Sequence, residues 1–252
     1  MRIAIIGVGR LGTIIAKALS EHHEVILVDH HPEDLVTLAA DVGAKATDDL
    51  SVVQFAELTI ITVKPSQVEA LVKKLPETRL VVSCAAGIPL KKFESWGMKN
   101  VIRIMPNICA EVDQAVIAYT MYPEIERKEK VFLTAFTAIG MCIKVDESHM
   151  DAITSTSGAG PAFMAYFAQA MIEEAIAHGL TEEDAELVVA QTLIGTGTLM
   201  KSGWSTKKII DTVVSPGGIT EAGLKMLDEK GANKAIHNAI KKATEKAKEL
   251  GK

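Results

Sequence analysis

The first twenty residues of the chain constrain its fold more than any other segment. A short apolar run, Arg2–Ile6, leads directly into Gly7-Val-Gly-Arg-Leu-Gly12, and an apolar-periodic stretch continues from Thr13 to Ser20. In this spacing the first glycine makes a tight turn, the second lets the backbone approach a pyrophosphate, and the third allows close packing of helix on strand. The pattern therefore predicts a strand, a glycine turn and a helix whose first N–H groups face an anion.

Short β-rich runs then alternate with helical stretches as far as about Val145, which is typical of a parallel sheet with crossover helices. After Asp146 the strand pattern largely ends, and helices are expected to follow. We therefore predict an α/β fold with an N-terminal Rossmann-type doubly wound sheet over residues 1–147. An all-helical C-terminal dimerisation domain is predicted over residues 148–252. The predicted strands are Arg2–Ile6, Glu24–Val28, Leu58–Val63, Leu80–Ser83 and Val101–Ile104, with Ala115–Tyr119 and Met141–Val145 as further candidates.

Two helical segments suggest that this second part forms a subunit interface. Residues Ala162–Ile172 are apolar almost all round the helix, so they must be buried on every side. Gly195-Thr-Gly-Thr198 supplies small side chains that permit close helix contact. A domain of about 100 helical residues has too little interior to bury both segments, so we expect a homodimer, with a larger oligomer left open.

Composition and charge exclude several classes of protein. Apolar residues make up 48% of the chain, and the net charge of -5 argues against a nucleic-acid partner. No apolar run approaches the length of a membrane span, and glycines interrupt the start where a secretory signal would continue. Cys84, Cys109 and Cys142 form no pair at metal-binding spacing. We expect a cytoplasmic protein without a metal site, a disulfide framework or a membrane partner.

Residues after two of the predicted strands bear on which dinucleotide binds. Asp29 ends the second predicted strand, where its carboxylate is expected to bind ribose hydroxyls and to repel a 2′-phosphate. The neighbouring His30-His31 either lie near such a phosphate or are exposed loop residues. Lys64, before Pro65, either reaches the dinucleotide or is a surface lysine. The pattern leaves NADH and NADPH open and favours NADH.

Along nearly its whole length the sequence resembles the pyrroline-5-carboxylate reductase family, which reduces a cyclic imine to proline. The most specific match is residues 213–231, VVSPGGITEAGLKMLDEKG, in which a threonine follows the two glycines closely and a long helix continues. The resemblance implies a Rossmann domain followed by a helical domain that intertwines with a second subunit. The other matching segments are GVGRLG, VKP, VVSCAAGIPL, IRIMPN and STSGAGPAF.

The resemblance implies where a nicotinamide cofactor binds. Lys64 and Pro65 are expected to border its adenosine end, and Asn107 to lie beside the nicotinamide ring. The segment expected to hold the pyrophosphate consists of Gly7, Val8, Gly9, Arg10, Leu11 and Gly12.

The resemblance also implies a substrate loop formed by Ser215, Gly217, Gly218 and Thr220. Ser215 is a good N-cap, Pro216 suits the first helical position, and the glycines expose N–H groups that suit a substrate carboxylate. The Thr220 hydroxyl is expected to hydrogen-bond the ring nitrogen. Because this hydroxyl is too weak an acid to be the sole proton source, we expect it to orient the imine, and we predict no general base.

The sequence departs from the family pattern at three places. Ile108-Cys109 replaces the usual Thr-Pro, and Glu111–Ala115 supplies no glycine where the family has one. Ala159 and Phe163 lack hydroxyls that are common in the family. Glu221 stands where an aliphatic residue is usual, and we expect its carboxylate to point outward because a negative charge is favourable in a first helical turn.

Three other functions fit parts of the sequence. Hydroxy-acid dehydrogenases share the layout but need a Lys or His to take the alcohol proton, and the helix after Gly160 offers neither as far as Ala177. A deazaflavin-linked reductase would share the N-terminal motifs, but this class of enzyme assigns no function to the Ser215–Thr220 segment. A dinucleotide-binding regulatory protein without catalysis fits the departures around Cys109.

Overall fold

The computed structural model describes residues 1–250, without the side chain of Leu250, so Gly251 and Lys252 of the predicted second domain lie outside the description. Eight strands form one sheet in the order β3-β2-β1-β4-β5-β6-β7-β8. β1 to β6 are parallel, whereas β7 is antiparallel to β6 and parallel to β8. The strands are β1 Arg2–Ile6, β2 Glu24–Val28, β3 Lys45–Thr47, β4 Leu58–Ile61, β5 Val81–Ser83, β6 Val101–Met105, β7 Ala115–Met121 and β8 Gly140–Lys144.

Helices cover both faces of the sheet, as an α/β fold requires. Ile3 and Ile5 of β1 join one core cluster, and the alternate residues Ala4 and Ile6 join another, because successive side chains of a strand point to opposite faces. The predicted Rossmann-type doubly wound sheet is confirmed. The helices of this part are α1 Arg10–Ser20, α2 Val36–Asp41, α3 Pro65–Val72, α4 Leu90–Ser95, α5 Glu129–Phe136 and α6 Met150–Ile153.

The rest of the described chain is helical, which confirms the predicted all-helical C-terminal part. Thr181 and Ser205 cap α8 and α9 by accepting hydrogen bonds from the N–H groups of Asp184 and Lys208, both at 3.1 Å. Each cap satisfies an N–H group of the first helical turn that has no partner within the helix. The remaining helices are α7 Gly160–Ala177, α8 Glu182–Lys201, α9 Thr206–Val213, α10 Ile219–Glu229 and α11 Ala232–Leu250.

Contacts divide the chain into two compact units at a different place from the predicted boundary. One unit contains Met1–Pro161 together with the described part of Ala243–Lys252, and the other contains Ala162–Lys242. The start of α7 and the end of α11 thus belong to the unit that holds the sheet. The boundary between residues 147 and 148 therefore stays a prediction.

Large apolar side chains are exposed on α7 and α8 of the single chain. Tyr166 is 73% exposed and Met164 is 52% exposed, and on α8 Leu187 is 68% exposed. Within one chain α7 is therefore not buried, and its predicted burial requires a second subunit and stays a prediction. An exposed apolar surface of this kind is typical of an interaction site.

Candidate functional site

The glycine turn after β1 is held by residues that follow the neighbouring strand β4. Gly7 has φ +89°, in the left-handed region, and a side chain there would collide with Val63, whose backbone nitrogen lies 2.9 Å from the position that a Cβ would occupy. The Thr62 hydroxyl donates to the Gly7 carbonyl at 2.6 Å. The close approach of Val63 and the hydrogen bond from Thr62 fix the direction in which the chain leaves β1 and enters α1.

The other two glycines of the motif have different surroundings. A Cβ at Gly12 would lie 2.6 Å from the Gly7 carbonyl oxygen and 2.8 Å from the Thr62 hydroxyl, so only glycine fits there. A Cβ at Gly9 would meet nothing within 4 Å. Packing within the chain therefore explains Gly7 and Gly12, while the space around Gly9 is open to a ligand at the start of α1.

Asp29 is joined to the same turn. One carboxylate oxygen, Oδ2, accepts a hydrogen bond from the Val8 N–H at 2.8 Å, and the Asp29 N–H donates to the Thr47 carbonyl at 3.1 Å. Asp29 lies at the carboxyl end of β2, beside β1 in the sheet. This arrangement brings an acidic side chain and the glycine turn to one edge of the sheet.

A cleft of about 460 Å³ opens at this edge. It lies where the strand order reverses between β1 and β4, the place at which open α/β sheets bind ligands. The structure brings four of the predicted site residues together along it, namely Gly7, Gly9, Asp29 and Lys64. The lining also includes His30, Asp48, Thr62, Ser66, Gln67 and Lys74.

Other predicted residues lie outside this lining. Pro65 is the first residue of α3, which follows Lys64. Arg10 and Leu11 begin α1, and Val8 is buried beneath the turn. Of the two histidines only His30 lines the cleft, and His31 pairs with Glu33 at 3.2 Å.

Asn107 is a buried residue whose side chain links three parts of the sheet-containing unit. Its Nδ2 donates to the carbonyl and the hydroxyl oxygen of Ser157 at 3.2 and 3.3 Å, and its Oδ1 accepts from the Val116 N–H at 3.3 Å. Ser157 belongs to a π-helical turn, Thr154–Gly158, and such turns are frequent at functional sites. Asn107 thus fixes the end of β6 to that turn.

The segment after Asn107 forms its turn without glycine. Ile108–Val112 is a short 3-10 helix that ends at Asp113, whose φ of +57° lies in the left-handed region. Aspartate tolerates this conformation better than most residues because its short polar side chain bonds locally. The departure noted at Glu111–Ala115 is therefore compatible with an ordered turn beside Asn107.

The predicted substrate loop precedes α10, and the helix start expected at Ser215 and Pro216 is wrong. Ser215 and Pro216 do not cap or open the helix, because α10 begins at Ile219 after Gly218 and has Thr220 as its second residue. Ser215 instead forms a turn in which its carbonyl accepts from the Gly218 N–H at 2.9 Å. The two glycines prolong this turn and delay the helix.

Glu221 makes a contact that the sequence did not predict. Its side chain is exposed, and Oε2 accepts a hydrogen bond from the Gly217 N–H at 2.8 Å. Gly217 has φ +69°, which turns its N–H back toward the helix start. A carboxylate of the chain itself therefore lies on the predicted substrate loop.

Sequence reasoning missed one residue of the glycine turn and one contact of the predicted substrate loop. Thr62 holds the glycine turn, and the only signal was its position near the end of a predicted strand. The contact of Glu221 depends on the left-handed conformation of Gly217, which a motif does not specify.

Two features are absent from the residues that the structure describes. No three His, Cys, Asp or Glu side chains in this part of the chain are grouped so that they could hold a metal ion. No helix within residues 1–250 combines the length and the hydropathy needed to cross a membrane.

Comparison with known proteins places these features in a family. Residues 147–250 match the family model described as pyrroline-5-carboxylate reductase dimerisation, and residues 2–87 match the one described as NADP oxidoreductase, coenzyme F420-dependent. The pyrroline-5-carboxylate reductase of Methanosarcina acetivorans is 32% identical over all of this chain and 98% of its own length. The enzyme of Aquifex aeolicus is 29% identical over 99% of this chain and 97% of its own.

Solved structures show the same fold. The crystal structure of Streptococcus pyogenes 1-pyrroline-5-carboxylate reductase matches with a TM-score of 0.88 at 29% identity, covering 99% of this chain and 98% of that one. The Plasmodium falciparum pyrroline carboxylate reductase, solved with NADP bound, matches with a TM-score of 0.89 at 23% identity, covering 100% and 98%.

The Rossmann-type sheet, its glycine turn and the helical segment after it define a class of oxidoreductases. Within this class, the chain belongs to the pyrroline-5-carboxylate reductase family.

Proposed function

We propose that the chain reduces 1-pyrroline-5-carboxylate to L-proline by hydride transfer from a nicotinamide dinucleotide. The observation that carries this proposal is the 32% identity to a pyrroline-5-carboxylate reductase over the entire chain. The deazaflavin alternative rests on residues 2–87, which include only part of the sheet and none of the Ser215–Thr220 loop. It and the regulatory alternative are not favoured, because the relatives matching the whole chain are named as reductases of this imine.

The cleft at the glycine turn is the proposed cofactor site. The open space at Gly9 and the start of α1 suit a pyrophosphate, which the N–H groups of Gly9 to Gly12 would hold, since those of Gly7 and Val8 already donate to Val28 and Asp29. Asp29 uses only Oδ2 to hold the turn, which leaves Oδ1 for a ribose hydroxyl. Lys64 borders the adenosine end beside Pro65, and Asn107 lies at the nicotinamide end.

We propose NADH as the preferred cofactor, because the Asp29 carboxylate repels a 2′-phosphate. His30 acts in the opposite direction, since it lines the same cleft and an imidazole N–H is able to donate to a phosphate. The balance between these two side chains decides the preference.

The loop before α10 is the proposed substrate site. The Gly217 N–H and the helix start after Gly218 suit the substrate carboxylate, and the Ser215 carbonyl, which accepts from the Gly218 N–H, shapes the turn that presents them. The Thr220 hydroxyl would hydrogen-bond the ring nitrogen and so orient the imine carbon.

These residues bind and orient rather than perform covalent chemistry. A bound reduced nicotinamide supplies the hydride. A protonated imine is a strong electrophile, so the chain accelerates the reaction by fixing the position of the ring through its carboxylate and its nitrogen. No side chain is required to act as a general base, and Thr220 relays a proton that comes from water.

The proposed assembly is a homodimer formed through the helical segment. Residues 147–250 match a family model described as a dimerisation domain. The exposed apolar side chains of α7 and α8, including Tyr166 and Leu187, support this assembly, because a second copy would bury them.

Substitution of Thr220 tests the proposed substrate loop. Thr220→Ala removes one oriented hydrogen bond, so kcat/KM for the imine should fall about tenfold to a hundredfold. Thr220→Ser keeps the hydroxyl and should retain most of the activity. An unchanged kcat/KM in the alanine variant would exclude Thr220 from the mechanism.

A further inference from the structure

Glu221 affects the affinity of the proposed substrate loop, a role that rests on the proposed function. Its Oε2 lies 2.8 Å from the backbone nitrogen of Gly217, four residues earlier, and accepts the hydrogen bond of that N–H. The same N–H is one of the groups proposed to bind the substrate carboxylate. Two carboxylates cannot occupy it together, because a single N–H donates one good hydrogen bond in one direction.

The geometry shows that the loop is able to hold a carboxylate and also able to release this one. Gly217 and Glu221 are both exposed, so the Glu221 side chain can rotate into solvent without disturbing packed neighbours. A contact at the surface contributes little free energy, because water competes for both groups. The occupied and open arrangements are therefore close in free energy.

We propose that Glu221 is an internal competitor that lowers the affinity of the loop for anionic ligands. The substrate carboxylate binds only when the Glu221 side chain has left Gly217. The apparent dissociation constant then exceeds the intrinsic one by the inverse of the open fraction. For one exposed hydrogen bond this factor is about threefold to tenfold.

This role makes Glu221 a determinant of affinity rather than a catalytic residue. Once the substrate is bound, the same imine carbon accepts the hydride in the wild type and in the Glu221 variants. We therefore expect kcat to stay within about twofold while KM changes. An aliphatic residue at this position would leave the Gly217 N–H free. The chain should thus bind its substrate more weakly than a variant that carries such a residue.

Two variants of the full-length protein separate occupation of the loop from simple charge repulsion. Glu221→Asp keeps the charge, but its carboxylate is withdrawn by one C–C bond, about 1.5 Å, and loses the contact. Glu221→Leu removes both charge and contact. Glu229→Asp, at the other end of α10, is the matched control because Glu229 faces Lys225 and not the loop.

The experiment measures KM and kcat for 1-pyrroline-5-carboxylate, together with the inhibition constants of L-proline and of neutral L-prolinamide. Thermal unfolding establishes that each variant is folded. We expect both Glu221 variants to lower KM and the L-proline inhibition constant about threefold to tenfold. The prolinamide inhibition constant, kcat and the Glu229→Asp control should stay within about twofold of the wild type.

Three other results would count against the proposal in distinguishable ways. Turnover by the wild type with KM unchanged in both Glu221 variants would overturn the competitor role and leave the proposed function standing. A lower KM in Glu221→Leu alone would assign the effect to charge and overturn direct occupation of Gly217. Absence of imine reduction by the wild type would contradict the proposed function, and the competitor role with it.

Discussion

Gly9 and Gly12 are glycines for different physical reasons, and alanine substitution separates them. At Gly12 a methyl group would meet the Gly7 carbonyl and the Thr62 hydroxyl, so Gly12→Ala should destabilise the fold by roughly 1–3 kcal/mol. At Gly9 the methyl group meets nothing, and the φ of -80° suits alanine. Gly9→Ala should therefore keep its thermal unfolding temperature but bind NADH and NADPH at least about tenfold more weakly. Fluorescence titration showing unchanged affinity would remove Gly9 from the pyrophosphate site.

His23 gives a second prediction at the residue scale, through pH. Burial lowers the pKa of His23, and the nearby N-terminal ammonium and His22 lower it further. In the unfolded chain the histidine pKa is about 6.5, so on acidification the unfolded state takes up a proton before the folded state does. The stability contributed by neutral His23 is present above about pH 6.5 and is lost as the pH falls below it.

Denaturant unfolding between pH 7.5 and 5 measures this effect. As the pH is lowered, the free energy of unfolding should fall less steeply in His23→Gln than in the wild type. His178→Gln is the matched control, because His178 is exposed and pairs with Glu174. A wild-type slope retained in His23→Gln would show that His23 does not contribute to the acid sensitivity.

At the scale of elements, the strands of the sheet were predictable because their residues are apolar and bounded by turns. β3 was missed, since Lys45–Thr47 is three residues long at the edge of the sheet and is not apolar. The antiparallel direction of β7 is set by the connection from β6, which a strand pattern does not encode. The start of α10 was placed too early because the turn at Ser215 looks like a cap in sequence.

Glu147 joins three elements and provides a prediction about stability. Its Oε1 accepts from Arg103 Nη1 on β6 at 3.0 Å and from the Leu90 N–H at the start of α4 at 2.8 Å. Glu147→Ala would leave the Arg103 charge buried, since that side chain is only 5% exposed. We expect a loss of roughly 2–4 kcal/mol in the free energy of unfolding.

A surface ion pair is the matched control for this substitution. Glu126 pairs with Lys144 at 3.0 Å, and both side chains are largely exposed, so Glu126→Ala should cost less than about 1 kcal/mol. Urea unfolding of both variants gives the comparison. Equal losses in the free energy of unfolding would mean that the Arg103–Glu147 pair contributes no more to stability than a surface ion pair.

At the scale of the whole molecule, the exposed apolar side chains of the helical segment provide a test of the proposed homodimer. Tyr166 on α7 and Leu187 on α8 are 73% and 68% exposed in the single chain. Lysine at either position would place a charge in the proposed interface, so Tyr166→Lys and Leu187→Lys should shift the protein toward monomer in sedimentation velocity. Val36→Lys, at a 65% exposed position on α2, should leave the assembly unchanged. A stable dimer in both helix variants would place the interface elsewhere.

The reaction itself is tested most directly by following NADH and NADPH oxidation by absorbance at neutral pH, with and without 1-pyrroline-5-carboxylate. The proposed function predicts oxidation that depends on the imine and is faster with NADH, because Asp29 disfavours a 2′-phosphate. Faster oxidation of NADPH would reverse the role of Asp29 and leave the reaction intact. Cofactor binding without oxidation in the presence of the imine would contradict the proposed function.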